Sequence, residues 1–281
     1  MPGLNTTRTG SASVFTMHGV VAGLEPDTCA HRGLFEPAQF VKHLRSRKTP
    51  YVELAAALRG EGDALTIDDA TFTACDAAAL AREHGHHVTL FINPGNVAAG
   101  ETYFFVLLNL VLDRTTLPRL TLGGRDFPLR TTAERRELRE YFKRRLLTLA
   151  GEADRRELVH AAARQLGVAD LSVPRPLQTV GVDVLRELGR RQVNIANHGW
   201  THGSVGALPA DHIKQEIIRG REWINRELGQ PALAYAVPFG QALPPFSANA
   251  KIYEIWLTSH ELLHDGFIGP HVFNRTTLRL G

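Results

Sequence analysis

The chain has 281 residues, 43% of them hydrophobic, which is enough to bury a full core in one large domain or two small ones. That composition excludes disordered and fibrous classes, and a net charge of +3 is too small to argue for nucleic-acid binding. With only Cys29 and Cys75 there is no disulfide framework, so a reducing, cytoplasmic setting is expected.

The first dozen residues are polar and rich in Thr, Ser and Gly. They lack the charged start and apolar stretch of a signal peptide. Ser13–Met17 reads as a first strand leading to His18, and Pro37–Leu58 as mostly helical with a break at Pro50. Beyond this, short apolar runs alternate with helical patterns, the signature of a parallel sheet. The expected strands are Ala64–Ile67, Val88–Asn93, Gln192–Ala196, Leu233–Val237, Ile255–Ser259 and Val272–Leu278. The expected helices between them are Thr71–His84, Val182–Arg190 and Ala210–Leu228, the last closed by Gly229 as a C-cap.

One segment breaks the alternation. From about Gly100 to Pro176 the pattern predicts three helices and no strand. Tyr103–Leu112 is apolar nearly all round, and at ten residues, with Asn109 inside it, it is too short to span a membrane. Thr131 and Glu134 have capping-box spacing ahead of a helix with Leu138, Phe142, Leu146 and Leu149 on one face. Asp154–Leu166 is the third. The whole chain, residues 1–281, is expected to form one α/β domain, a distorted or incomplete (β/α) barrel, with residues 100–176 as a helical insertion beside its site. The basic row Arg135, Arg136, Arg139, Lys143, Arg144 and Arg145 reads as a solvated face, and no nucleic-acid partner is expected.

The chemistry concentrates in Asn197-His198-Gly199-Trp200-Thr201-His202, read together with Asp68-Asp69. Two imidazoles four residues apart can converge on one ion. An adjacent carboxylate pair at a strand end offers a third ligand and a base. A zinc-protease reading needs Glu directly after the first His, and Gly199 stands there. The base must come from elsewhere, and Asp68 is the natural candidate. Asp68-Asp69, Asn197-His198 and Tyr235-Ala236-Val237-Pro238-Phe239-Gly240 all follow expected strands. They therefore reach the carboxyl-end rim where such sheets place their chemistry. His84-Gly85-His86-His87 reads as an ordinary basic helix end, and Cys29-Ala30-His31 lacks the second pair a metal site needs.

Thr66-Ile67-Asp68-Asp69-Ala70 resembles the Thr-Phe-Asp-Asp-Gly motif of the polysaccharide deacetylase (NodB-homology) superfamily. The Asn197–His202 stretch is similar to its His-(Ser/Thr)-x-x-His motif, and Tyr235–Gly240 to its Pro-Phe-Gly motif. Thr16-Met17-His18-Gly19-Val20 resembles the opening strand of exopolysaccharide-associated members, and the helical segment resembles theirs. The resemblance implies a hydrolase that removes an N-acyl group, expected to be acetyl, from an amino sugar. It further implies Asp69, His198 and His202 as ligands of a divalent metal, expected to be zinc, Asp68 as general base, and the backbone N–H of Phe239 as an oxyanion donor. Other outcomes on the same fold are hydrolysis of a formamide or cyclic imide, and a catalytically silent sugar-binding protein. Three departures stand out. Ala70 replaces a glycine, and Ala236 stands where many members carry the Arg that orients the base. The late Leu-x-His motif of the general acid has its match in Leu262-Leu263-His264-Asp265, with His271 as competitor.

Overall fold

The computed structural model describes residues 12–204 except 24, 26 and 32, then 209, 212, 214–240, 253–259, 265–269 and 271–280. The first half of the chain contributes β1 (Val14–Met17), β2 (Gly19–Val20), β3 (Leu34–Phe35), α1 (Pro37–Ser46), α2 (Leu54–Leu58), β4 (Ala64–Asp68), α3 (Phe72–Glu83), β5 (Thr89–Ile92) and α4 (Pro94–Ala99). Next come α5 (Phe104–Arg114), β6 (Arg119–Leu122), β7 (Arg125–Pro128), α6 (Thr132–Leu146), α7 (Glu152–Gln165), α8 (Val182–Arg190) and β8 (Asn194–Asn197). A π-helical turn, Gln215–Arg219, leads into α9 (Gly220–Leu228), followed by β9 (Ala234–Ala236), β10 (Ile255–Thr258), β11 (Gly266–Gly269), β12 (Val272–Asn274) and β13 (Thr276–Thr277).

Among the described residues, nine strands form one sheet in the order β11-β12-β10-β9-β8-β5-β4-β1-β13. All its pairings are parallel except β11 with β12. The sheet curls into a nearly closed, distorted (β/α) barrel. The expected strand Val272–Leu278 divides at Arg275. Its first half pairs with β10 and its second with β1, so one short run of chain bridges the two ends of the sheet.

Alternation along the strands separates two cores. Leu65, Ile67, Leu90, Ile92, Ile195 and Tyr235 face out, towards α3, α8 and α9. Val14, Ala64, Phe91, Ala196, Ala234, Ala236, Leu257 and Phe273 face in. Alanines opposite two phenylalanines, small residues beside large, suit the narrow interior of a small barrel. Both faces are therefore apolar, which explains the near-continuous hydrophobic runs of the sequence.

The helices start and stop where local chemistry dictates. Thr71 caps α3, its Oγ1 accepting from the Ala74 N–H, and Thr131 with Glu134 forms the expected capping box on α6. Gly229 closes α9 at φ 64°. The segment between β5 and β8 is not wholly helical: β6 and β7 form an antiparallel hairpin. Gly123 and Gly124 turn it at φ 58° and 78°, the two-residue turn that favours paired glycines. The pair β2–β3 is also absent from the sequence reading. Helices α5, α6 and α7 share their own apolar cluster, which Phe239 joins from the barrel. In the basic row of α6, Arg135 donates to the Leu129 and Asp113 carbonyls and Arg139 to Asn109. Among the described residues, no helix is long and apolar enough to cross a membrane.

Candidate active site

Asp68 ends β4 on the same inward face as Ala64 and Thr66, at the carboxyl mouth of the barrel. In a regular strand its neighbour would point to the opposite face. Asp69 instead adopts φ 73°, a left-handed turn that carries its carboxylate back into the mouth. Both aspartates are buried. Neither caps α3, since Thr71 does. The positive φ falls on Asp69 and not on Ala70, so an alanine there is unstrained. Its N–H donates to the Tyr103 hydroxyl at 2.8 Å.

His198 follows β8 directly. Asn93 Nδ2 donates to the carbonyls of His198 and Gly199, at 2.5 and 3.0 Å, and the Asn197 side chain accepts from the Gly199 N–H at 3.1 Å. His198 Nδ1 lies 2.8 Å from the Ala236 carbonyl. A carbonyl can only accept, so Nδ1 carries the proton and Nε2 keeps its lone pair. The stretch from His198 to His202 is an irregular loop, with Gly199 at φ 87° and His202 at φ 58°. It sets the two rings edge to face at 4.8 Å. His202 Nε2 lies 3.7 Å from Asp69 Oδ1, and His198 Nε2 lies 3.9 Å from Asp68 Oδ2.

Asp69, His198 and His202 each offer a ligand atom, and these atoms lie within 4.8 Å of one another. Asp69 Oδ1 and His202 Nδ1 are buried without a hydrogen-bond partner among the described residues. Orphaned polar atoms of this kind are costly unless something binds them. Burial lowers the proton affinity of both imidazoles, of His202 strongly, and so keeps them in the neutral form that ligates metal. Burial and the charge of Asp68 hold the Asp69 carboxyl well above the usual carboxylate range, a state that a cation would relieve. Two nitrogens and one carboxylate oxygen are a donor set that suits zinc and related divalent ions.

Asp68 has a different partner. Arg275 Nη1 and Nη2 donate to its two oxygens at 2.7 Å each, and Nη1 also reaches Thr66 Oγ1 at 3.1 Å. Arg275 Nε donates to Ser259 Oγ at 3.1 Å, and its guanidinium lies 5.6 Å from the centre of the Phe91 ring. Burial alone would push the Asp68 carboxyl up. Arg275, followed by His198, outweighs it and holds the group below the ordinary carboxylate range. Where many family members carry an arginine this chain has Ala236, and the arginine that holds Asp68 stands instead at position 275. Sequence reasoning missed it, although Arg275 is the lone charge in the expected strand Val272–Leu278.

Phe239, within the turn Pro238–Gly240 after β9, has φ 62° and sets its ring edge-on to His202 at 4.5 Å. Phe105 of α5 meets the same imidazole at 4.7 Å, so the segment between β5 and β8 borders the cluster. His264 lies outside the described residues. Asp265, the next residue, accepts from the Thr276 hydroxyl at 2.7 Å. His271 is exposed and precedes β12 at its amino end, the rim opposite the aspartates. His18, not singled out from the sequence as part of the site, is exposed at the carboxyl end of β1, next to β4. Its imidazole stands within electrostatic reach of Asp68, His198 and His202.

A comparison with curated protein sequences gives no match. Solved structures do match in fold. The Streptococcus pyogenes deacetylase PplD, in complex with acetate, superposes with a TM-score of 0.57 at 11% identity, covering 95% of this chain and 92% of that one. IcaB from Ammonifex degensii gives 0.55 at 11% identity, covering 97% and 93%. A polysaccharide deacetylase from Bacillus cereus gives 0.54 at 11% identity, covering 95% of this chain and 64% of that longer one. Residues 60–255 match the family described as polysaccharide deacetylase, a span that holds the aspartate pair, both histidines and the Pro-Phe-Gly turn. That match covers more than half of the sequence, and the chain belongs to the polysaccharide deacetylase family.

Proposed function

We propose that this chain is a metal-dependent hydrolase that removes an N-acyl group, expected to be acetyl, from an amino sugar in a polysaccharide, oligosaccharide or small glycoside. The observation that carries the reading is the convergence of Asp69, His198 and His202 beside an aspartate held separately by Arg275. Zinc is the proposed ion, held by those three side chains. When bound it would supply Lewis acidity, polarising the amide carbonyl and making water acidic enough to attack near neutral pH.

The protein's own groups then divide the work. Asp68, kept ionised and fixed by two hydrogen bonds, is the proposed base that takes the proton of the attacking water. The Phe239 N–H, presented on a turn after Pro238, is the proposed donor to the developing oxyanion. Expelling an amine needs a proton at the leaving nitrogen. His18 is the proposed donor, because it is exposed at the correct rim, whereas His271 lies at the opposite one. The helical segment, with Phe105 against His202, is proposed as one wall of the substrate cleft.

The test is acetate release from N-acetylglucosamine oligomers of graded length, by chelator-treated protein before and after zinc addition. Release that depends on zinc supports the reading. Protein that binds no zinc, or equal release with and without it, overturns metal dependence, and no release from any length overturns the substrate class.

A further inference from the structure

The loop between the two histidines is gripped from outside the site by one wide helical turn. The π-helix Gln215–Arg219 runs directly into α9. A π-turn holds one residue more than an α-turn, and such turns recur at functional sites. Here it buries Glu216 and Ile217. Glu216 Oε2 accepts the Thr201 N–H at 2.9 Å, and Oε1 accepts the Thr201 hydroxyl. The Ile217 carbonyl accepts from Asn197 Nδ2 at 3.0 Å and from the Tyr253 hydroxyl at 3.0 Å. One turn therefore fixes the residue just before His198 and the residue just before His202.

The Thr201 hydroxyl has no freedom of its own. Arg155, on α7 and 1% exposed, donates to it at 2.7 Å, so its proton is directed to Glu216. The loop also wraps closely around the carboxylate. A Cβ on Gly199 or Gly203 would come within 3.0 or 3.1 Å of a Glu216 oxygen. His202 itself holds a left-handed backbone that a non-glycine residue adopts only when its surroundings enforce it.

We propose that Glu216, acting through Thr201, is a positioning residue for the metal-binding histidines, and that Arg155 ties this support to α7. The inference rests on the reading of Asp69, His198 and His202 as a metal site. It makes the geometry of the ligands depend on a carboxylate that touches neither metal nor substrate.

The experiment measures zinc affinity against a chromophoric chelator, and the absorption spectrum of the cobalt-substituted protein. It compares wild type, Thr201→Val, Thr201→Ser and Glu216→Gln, with circular dichroism to verify folding. Thr201→Val and Glu216→Gln should weaken zinc binding about 10- to 100-fold, the usual effect of removing a group that orients a ligand, and should alter the cobalt bands. Thr201→Ser, which keeps the hydroxyl, should restore wild-type affinity and spectrum. In turnover, kcat should fall while KM holds. Should Thr201→Val not fold, Glu216→Gln against Thr201→Ser decides. Wild-type affinity and spectra in the folded variants would overturn the inference, as would Thr201→Ser behaving like Thr201→Val. A wild-type protein that binds neither ion would overturn the metal reading, and this inference with it.

Discussion

Replacing Arg275 by Met would show how much of this barrel rests on the pair it makes with Asp68. Arg275 is 3% exposed and Asp68 4%, and the guanidinium gives the carboxylate two hydrogen bonds of 2.7 Å. Methionine fills much of the same space but leaves a buried carboxylate without its partner. Breaking a buried pair from one side costs about 3–5 kcal/mol. At roughly 2 °C per kcal/mol for a large domain, the melting temperature should drop by about 6–10 °C. The cost should lie mainly in the stranded charge, so adding Asp68→Asn should recover much of it, with a coupling on the order of 2–3 kcal/mol. Urea unfolding of the four proteins of this cycle, followed by tryptophan fluorescence after chelation, measures each term. Arg275→Lys should fall between, since an ammonium keeps the charge but cannot match both oxygens. A loss below about 1 kcal/mol for Arg275→Met, the scale of an exposed pair, would refute the assignment. So would additive single substitutions.

Asp69→Ala, His198→Ala and His202→Ala should each abolish stoichiometric zinc, whereas Asp68→Asn and His18→Gln should keep the metal and lose most turnover; metal analysis beside acetate release tests the division of roles. Burial and the Asp113 carboxylate push the Cys29 thiol up to about 12, and burial pushes the Tyr51 hydroxyl up to about 12. In the unfolded chain these groups release protons that the fold retains, so stability should hold below about pH 9 and decline from there to about pH 12. Urea unfolding across that window checks the sign, and rapid modification of Cys29 by a thiol reagent in the folded protein near neutral pH would contradict it.

The parts of this structure legible in the sequence are those set by local pattern. The barrel strands announced themselves because both faces of the sheet are buried, and α8 matched its expected limits, Val182–Arg190. The clustering of Asp69, His198 and His202 was legible because they come after the ends of two strands, β4 and β8, and so share a rim. Less visible was how two consecutive aspartates point the same way, which depends on the left-handed backbone at Asp69. The hairpin β6–β7 was missed, although Gly123-Gly124 marked its turn; its strands are four residues long, so the alternation of Leu120 and Leu122 with polar neighbours is too short to establish a period of two. Arg275 was beyond pattern reading for another reason. Its contact with Asp68 joins residues 207 positions apart, and only the closing of the barrel brings them together.

That closing gives the pair its logic. Phe273 and Arg275 are two residues apart on one strand run, and Phe273 belongs to the inner core. The guanidinium therefore continues the inward row where the apolar filling ends, next to the Phe91 ring, and it meets Asp68 and Thr66 from β4. At this residue the chain leaves β10 and joins β1. The Arg275 N–H donates to the Thr258 carbonyl, and the Leu278 N–H donates to that of Thr16. A side chain at position 236 would approach from β9, whose inward alanines make room for Phe91 and Phe273 instead. Here the group that orients the proposed base is carried by the run of chain that links the two ends of the sheet. Opening that seam would separate Arg275 from Asp68 while leaving Asp69 after β4 and His198 and His202 after β8, so the proposed base depends on closure in a way that the proposed metal ligands do not.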